Sequence, residues 1–259
     1  MEQRGVIKFL IRFFFIAAFL FSFGISKAYS ERIKIAVDES NDPFMYKNKD
    51  TGEADGLYPT IVKALFDKIG VDVSVVAYPW KRVMLLSGKG SVGAAGIYKN
   101  SERILIYDYS DSIFDERVVV FMRADHAFPF QTVEDLKGKR VGVVRGWSYG
   151  DTFDTARKQS LFVVEDSVSD ELNFRKLDLG RLDCVIAIDL SGELVFKKLE
   201  FKNEIIASNV PMLMISTHIA FSKESNKRDL IQKLNHAIAE LKAEDAYKDM
   251  IGSAFEDIH

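Results

Sequence analysis

The sequence has one cysteine, five prolines and two tryptophans among its 259 residues, and it has no low-complexity tract. Because Cys184 is alone, no disulfide can form within the chain, and the fold must depend on its hydrophobic core. The histidines His126, His218, His236 and His259 are scattered, and none has a partner at metal-ligand spacing. The glycines do not spell a dinucleotide fingerprint either. We therefore expect neither a metal site nor a cofactor.

Strongly basic segments are also lacking. The chain has 35 basic and 38 acidic residues, a net charge of −3. Removal of residues 1–28 takes away four basic residues and one acidic residue, which leaves a net charge of −6. A nucleic-acid-binding surface needs clustered lysines and arginines. We therefore do not expect nucleic acid as a partner.

A long hydrophobic run occurs near the N-terminus. Arg4, Lys8 and Arg12 make a basic start, and the 14 residues from Phe13 to Ser26 are uncharged. Ser26-Lys27-Ala28 then supplies small residues at signal-peptidase spacing. A spanning helix needs about 20 apolar residues, so an uncleaved membrane anchor is the less favoured alternative. The pattern predicts a cleaved signal peptide over residues 1–28 and a periplasmic location.

Short apolar segments alternate with amphipathic segments along the rest of the chain. The predicted strands are 33–37, 73–77, 94–97, 118–121, 141–144, 162–164, 184–188, 212–215 and 218–221. The predicted helices are 58–69, 80–87, 132–136, 148–158, 169–179, 191–199 and 226–242. Alternation of this kind indicates an α/β fold with mainly parallel sheets flanked by helices. Two successive series predict two lobes, with the ligand beyond the carboxyl ends of the strands.

An ordered set of short motifs resembles family 3 of the bacterial extracellular solute-binding proteins, the polar amino-acid type. The motifs are Ile33–Val37, Asp42-Pro43-Phe44, Gly52-Glu53-x-x-Gly56, Tyr78–Arg82, Ser101-Glu102-Arg103, Tyr109-Ser110, Glu116–Arg123, Glu134–Val143, Gly146-x-Ser148 and Gly180–Asp183. The order and spacing of these motifs carry the resemblance over residues 31–256.

The resemblance implies a two-lobed periplasmic-binding-protein (Venus flytrap) fold. One lobe would comprise residues 29–112 and 219–259, and the other residues 118–213. The hinge would have two segments, 113–117 and 214–218. The implied protein is a monomer that delivers a small-molecule ligand to an inner-membrane ABC permease. A membrane sensor is the alternative partner.

Arg103 aligns with the family arginine that binds the ligand α-carboxylate. A guanidinium presents a planar fork of donors that matches a carboxylate, although a surface arginine in a loop is the alternative. Family members usually carry Ser or Thr hydroxyls just before this motif, where this chain has Ala95, Gly96 and Tyr98. Gly96 still offers backbone groups and Tyr98 a hydroxyl. The expected ligand is therefore an amino acid or a related organic acid with a carboxylate.

The second lobe supplies further candidates. Asp189 follows a buried strand, where a family aspartate binds the ligand ammonium, although one extra residue separates it from Asp183. Its alternative role is to cap the next helix. The turn at 146–150 precedes a helix, and exposed amides at a helix start bind anions. In the family this turn contacts the carboxylate. Ser148 would add a hydroxyl, or would instead cap the helix, and Arg145 would add positive charge.

Three aromatic residues are candidates to clamp an apolar part of the ligand: Phe44, Trp80 and Trp147. Each could instead belong to the core. Trp80 is favoured, because Pro79 before it and the basic pair 81–82 after it indicate an exposed helix start.

Two enzymatic alternatives are less favoured. Gly146-x-Ser148-x-Gly150 also matches the nucleophile elbow of serine hydrolases, and the chain order Ser148, Asp189, His218 fits their triad. However, no oxyanion segment precedes it, and His218 lies in an apolar strand pattern. Some proteins similar to family 3 are periplasmic cyclohexadienyl dehydratases, which need an acid to protonate a leaving hydroxyl. The sequence singles out no such acid, so we predict a binding protein and not an enzyme.

Overall fold

The computed structural model describes residues 32–256, so the predicted signal peptide lies outside the described residues. The strands in this range are β1 (Ile33–Asp38), β2 (Ser40–Asn41), β3 (Met45–Lys47), β4 (Ala54–Asp55), β5 (Val73–Tyr78), β6 (Gly93–Tyr98), β7 (Tyr107–Tyr109), β8 (Phe114–Arg123), β9 (Arg140–Val144), β10 (Val163–Ser167), β11 (Cys184–Ile188), β12 (Ile205–Ala207) and β13 (Leu213–Ser222). The α-helices are α1 (Leu57–Lys68), α2 (Trp80–Gly88), α3 (Gly150–Lys158), α4 (Asp170–Asp178), α5 (Asp189–Lys198), α6 (Arg228–Ala243) and α7 (Asp245–Ala254). Over residues 32–256, none of the helices is long and apolar enough to cross a membrane.

Ten strands form one sheet, in the order β10-β9-β11-β8-β13-β6-β1-β5, with β12 paired to β8 and β7 to β13. Strand β9 is parallel to β10 and β11, and β1 is parallel to β5 and β6, so each end of the sheet is parallel as predicted. The two expected sheets are nevertheless continuous with each other. The physical reason is that β8 and β13, each ten residues long, pair antiparallel in the middle.

Strands β8 and β13 connect the two halves of this sheet. Residues 114–118 of β8 pair with residues 213–217 of β13. Beyond this overlap, the rest of β8 pairs with β11 and β12, and the rest of β13 pairs with β6 and β7. Of the segments predicted as the hinge, 113–117 and 214–218, residues 114–117 and 214–217 therefore lie where the two crossing strands pair with each other, whereas His218 pairs with β6.

Helix α1 illustrates how the sequence period sets the packing. Its apolar residues recur three and four positions apart, which places them on one face of a helix. All are at most 1% exposed: Leu57, Ile61, Val62, Leu65 and Phe66. This face packs against β5 and β6 and against helices α6 and α7. Burial of each large apolar side chain contributes about 1.5–3 kcal/mol to the stability of the fold, and this burial holds the helix against the sheet. Its second residue, Tyr58, is thereby fixed with its hydroxyl group directed toward the site described next.

Candidate ligand-binding site

A small cavity lies where residues from both halves of the sheet meet. Nine residues line it: Asn41, Met45, Trp80, Gly96, Tyr98, Arg103, Glu116, Trp147 and Ser148. Six of these are among the residues predicted from the sequence. The enclosed volume is about 10 Å³, which is about the space of a single water molecule. The side chains that line the cavity from the two halves of the sheet are therefore almost in contact in this conformation.

Arg103 places a buried positive charge in this cavity. It begins a short 3-10 turn after β6 and is 8% exposed. Its Nη1 donates to the carbonyl of Tyr98 at 3.3 Å, and its Nη2 donates to the carbonyl of Gly146 at 3.4 Å. Within residues 32–256 no carboxylate lies within 4.0 Å of the guanidinium. Burial consequently lowers the pKa of Arg103, because the charged form loses its hydration. Both side-chain hydrogen bonds of this charged group therefore go to backbone carbonyls.

Ser148 is buried at the start of the turn that faces Arg103. Its Oγ accepts a hydrogen bond from Asn100 Nδ2 at 2.9 Å and donates one to the carboxylate of Asp154. Helix α3 begins at Gly150, two residues later than predicted, and its N-cap residue is Tyr149. Ser148 therefore does not cap the helix. Asp154, one turn into α3, takes the serine hydroxyl and also accepts from the Tyr149 backbone N–H at 3.2 Å.

Aromatic rings form the apolar wall of the cavity. The ring of Trp147 packs edge-on against those of Trp80 and Tyr98, with centroids 6.4 Å apart in each pair. Trp147 also donates its indole N–H to Asp38 at 2.9 Å. The guanidinium of Arg103 lies 5.9 Å from the centre of the Trp80 ring, within the range of a cation–π contact. These rings could sandwich a flat or aliphatic part of a ligand next to the arginine.

Gly96 and Tyr98 enter the cavity from β6. Gly96 has φ = +73°, and a Cβ there would lie 2.7 Å from the ring of Tyr58, so only glycine fits. Tyr98 donates its hydroxyl to the carboxylate of Glu116, and Tyr58 donates to the other oxygen of the same carboxylate.

Glu116 is the cavity residue of greatest chemical interest that was not predicted. It lies on β8 and is 2% exposed. Burial, with a further contribution from the charge of Asp189, raises the pKa of its carboxyl group to about 7. The sequence does contain a signal for it, since Glu116 shares its strand face with Val118 and Val120. An acidic residue on the inward face of an otherwise apolar strand points to a buried polar role.

Asp189 is not brought to this cavity. Its carboxylate pairs with Arg117 Nη1 at 3.2 Å and accepts from the backbone N–H of Leu190 at 2.8 Å. It is the first residue of α5, whose N-cap is Ile188 and has no side-chain cap bond. Asp189 thus lies outside the cavity lining, where its carboxylate pairs with Arg117, and it follows the N-cap position by one residue because α5 begins at Asp189.

Two further predicted residues lie elsewhere. Phe44 is fully buried in the core, where its ring packs against Tyr58, Phe114 and Phe255 with centroids 5.3–5.7 Å apart. It is surrounded by other rings and does not line the cavity. Arg145 is exposed and also outside the cavity lining. Its backbone pairs with β10 through the Ser167 carbonyl at 2.8 Å.

The residues of the hydrolase alternative are not connected. Ser148 bonds to Asn100 and Asp154, Asp189 bonds to Arg117, and His218 Nδ1 donates to the Ser110 carbonyl at 2.9 Å. Burial lowers the pKa of His218. A triad requires the base within hydrogen-bond reach of the nucleophile, and these three residues have separate hydrogen-bond partners.

In the described range no group of three histidine, cysteine or acidic side chains is arranged to bind a metal ion.

Known proteins resemble this chain over most of its length. Residues 33–256 match the model of bacterial extracellular solute-binding proteins, family 3. The histidine-binding periplasmic protein of Escherichia coli (strain K12) is 24% identical over 260 residues, covering 96% of this chain and 97% of that protein. The arginine-binding extracellular protein ArtP of Bacillus subtilis (strain 168) is 27% identical over 218 residues, covering 82% of each.

Solved structures share the fold. An ancestral arginine-binding protein bound to arginine matches with a TM-score of 0.74 at 22% identity, over 86% of this chain and 98% of that one. A histidine kinase sensor domain with similarity to periplasmic binding proteins matches with a TM-score of 0.75 at 16% identity, over 88% and 97%. The predicted two-lobed α/β fold is therefore confirmed. The chain belongs to family 3 of the bacterial extracellular solute-binding proteins.

Proposed function

We propose that this protein captures a small, polar, carboxylate-bearing ligand in the periplasm for an ABC importer. The observation that carries the proposal is the buried guanidinium of Arg103, which lines the cavity without a carboxylate partner in residues 32–256. A buried charge without a paired counter-charge costs several kcal/mol, and the more distant carboxylate of Asp154 offsets only part of the burial of Arg103. A ligand carboxylate would remove this cost and would match the two parallel N–H groups of the guanidinium.

The proposed ligand class rests on the known relatives and on the residues that line the cavity. Histidine- and arginine-binding relatives support an amino acid. The tryptophans Trp80 and Trp147 would cover its apolar part. Ser148 would donate its hydroxyl to the carboxylate once that hydroxyl turns away from Asp154. Gly96 and Tyr98 take the positions where hydroxyl side chains are usual in the family. A related organic acid is therefore kept within the proposed class.

Capture would use closure of two lobes about β8 and β13. We assign residues 29–112 and 219–259 to one lobe, 118–213 to the other, and 113–117 with 214–218 to the hinge. A cavity of about 10 Å³ cannot admit an amino acid, so entry requires opening. A ligand that binds only the closed form shifts the population toward it. Hydrogen bonds between the proposed lobes support a closed conformation: Asn100 to Ser148, Ser101 to Asp151, Ser191 to Asn41 and Arg103 to Gly146.

Export would precede binding, with residues 1–28 as the cleaved signal. The closed monomer would then present a surface from both lobes to an inner-membrane permease, and the periplasmic relatives support this location. Sensing without transport is the alternative. Uptake of labelled ligand by cells that lack the protein separates the two, since only the transport role predicts a loss of uptake.

The test is a thermal-shift screen of the purified protein against amino acids, organic acids, polyamines and sugars. A ligand at 100 times its Kd adds about 2.7 kcal/mol of stability, which raises the melting temperature. We expect carboxylates to raise it and their carboxamide analogues to have no effect. Stabilisation by sugars or polyamines alone would refute the proposal. No stabilisation, together with labelling of Ser148 by a serine-reactive probe, would support a hydrolase instead.

A further inference from the structure

Building on the proposed function, we infer that Glu116 selects a cationic group on the ligand, so that the preferred ligand carries a positive charge as well as a carboxylate. Asp189, which the resemblance implies for this role, lies outside the cavity lining and pairs with Arg117. Glu116 would make the crossing strand β8 part of the recognition surface.

The two opposite charges of the cavity belong to Arg103 and Glu116. Both line it, and they are 8% and 2% exposed. Neither has an oppositely charged side chain within 4.0 Å among residues 32–256. Tyr98 lies between them, because its carbonyl accepts from the guanidinium and its hydroxyl donates to the carboxylate. The two charges are thus held at opposite ends of one tyrosine. A molecule with a carboxylate and a cation would neutralise both at once.

The carboxylate of Glu116 is held in place and still has acceptor capacity. Tyr58 on α1 and Tyr98 on β6 each donate one hydrogen bond, to different oxygens. An ionised carboxylate has about four lone-pair sites, so about two are left for a ligand. Because two rigid aromatic side chains fix the group, little conformational entropy is lost when a ligand binds.

The charged surroundings of Glu116 also favour a cation. The hydroxyls of Tyr58 and Tyr98 contact it, Arg103 lines the same cavity, and the charge of Asp189 on α5 acts on it from outside the cavity lining. Asp189 acts on Glu116 by repulsion, and its own charge is paired with Arg117. No cation among the described residues compensates Glu116. A positive ligand group would therefore gain both a direct partner and an acidic field.

This arrangement makes recognition dependent on pH. Burial raises the pKa of Glu116 to about 7, so the carboxylate is mostly ionised above pH 8 and mostly protonated below pH 6. Protonation removes the negative charge that attracts the cation. Affinity for a cationic ligand should then fall as the pH is lowered through 7, by up to about tenfold per pH unit.

The test uses matched ligands in isothermal titration calorimetry of the purified protein. One pair is L-arginine and L-citrulline, which differ in the side-chain cation, and the other is L-arginine and 5-guanidinopentanoate, which differ in the α-ammonium. L-lysine with L-norleucine repeats the first comparison. We expect at least one cationic member to bind tenfold tighter or more at pH 8.5. The preference should shrink at pH 5.5, where these ligands keep their charges.

Two variants complete the test. Glu116→Gln should reduce the preference to about one and remove its pH dependence, while Glu193→Gln, an exposed carboxylate on α5, should leave both unchanged. The inference is overturned if carboxylates bind but Glu116→Gln keeps the preference, or if the wild type shows no pH dependence of it. If Glu116→Gln fails to fold, the pH dependence of the preference in the wild type still tests the inference. Failure of every carboxylate to bind would instead overturn the proposed function.

Discussion

Replacement of Glu116 by glutamine should change how the stability of the protein depends on pH. In the folded state the carboxyl group is buried and its pKa is raised from 4.5 to about 7. Between these two values the folded state holds more protons than the unfolded state. The free energy of unfolding therefore falls as the pH rises through this window, and the stabilisation is fully present only below pH 4.5. Glutamine cannot titrate, and its amide can bond both Tyr58 and Tyr98.

The size of the effect follows from the two pKa values. Linkage with a pKa of 4.5 in the unfolded state and about 7 in the folded state gives a loss of about 2.5 kcal/mol between pH 5 and pH 8. Asp170, whose pKa is also raised to about 7 by burial and by Asp38, adds a loss in the same direction. His218 has a lowered pKa and acts in the opposite direction. Both contributions are common to the two proteins and cancel in the comparison.

The assay is urea unfolding at pH 5 and pH 8 without ligand. The fall in the free energy of unfolding between these values should be about 2.5 kcal/mol smaller in Glu116→Gln than in the wild type, and Glu193→Gln should behave like the wild type. An equal fall in Glu116→Gln and the wild type would show that Glu116 is ionised throughout. The reasoning about its burial would then be wrong.

Two further predictions concern side-chain packing. Gly96→Ala should lower the free energy of unfolding by about 1–3 kcal/mol more than Gly52→Ala in urea titrations. Both glycines have a left-handed φ, but only at Gly96 would the added Cβ lie against another side chain, 2.7 Å from the ring of Tyr58. Equal losses in the two variants would contradict this steric argument. Cys184 is fully buried, and burial raises the pKa of its thiol, so a thiol reagent should react only after urea is added. Rapid labelling of the folded protein would contradict this.

The regular elements were accessible from the sequence because their periodicity is long enough to read. Strand β11 was predicted with its observed bounds, and α2 differs by one residue. The short strands β2, β3, β4, β7 and β12 have two or three residues each, which is too short for any period to appear. Strand β13 was predicted as two strands because Ser216 and Thr217 interrupt its apolar pattern. Both remain paired to β8.

Side-chain partnerships at the site were less accessible. Asp189 and Arg117 are 72 positions apart, and no local pattern indicates that their charges meet. Glu116 and Tyr58 come together from a strand and a helix 58 positions apart. Arg103 and the turn that carries Ser148 were predicted through the resemblance to the family, and Trp147 as an aromatic residue that could contact a ligand. The structure places all three at one cavity. The order of the motifs thus indicated which segments line the cavity. The position of Glu116 in it depends on tertiary packing and could not be read from the sequence motifs.

The central claim is that Arg103 binds a ligand carboxylate, and the most direct test is calorimetry of Arg103→Ala with the ligand found in the screen. Charge-assisted hydrogen bonds contribute about 1.5–3 kcal/mol each, so loss of a bidentate pair should cost about 3 kcal/mol or more. We predict that the Kd rises roughly a hundredfold or more in a variant whose circular dichroism matches the wild type. A folded Arg103→Ala with unchanged affinity would contradict the account.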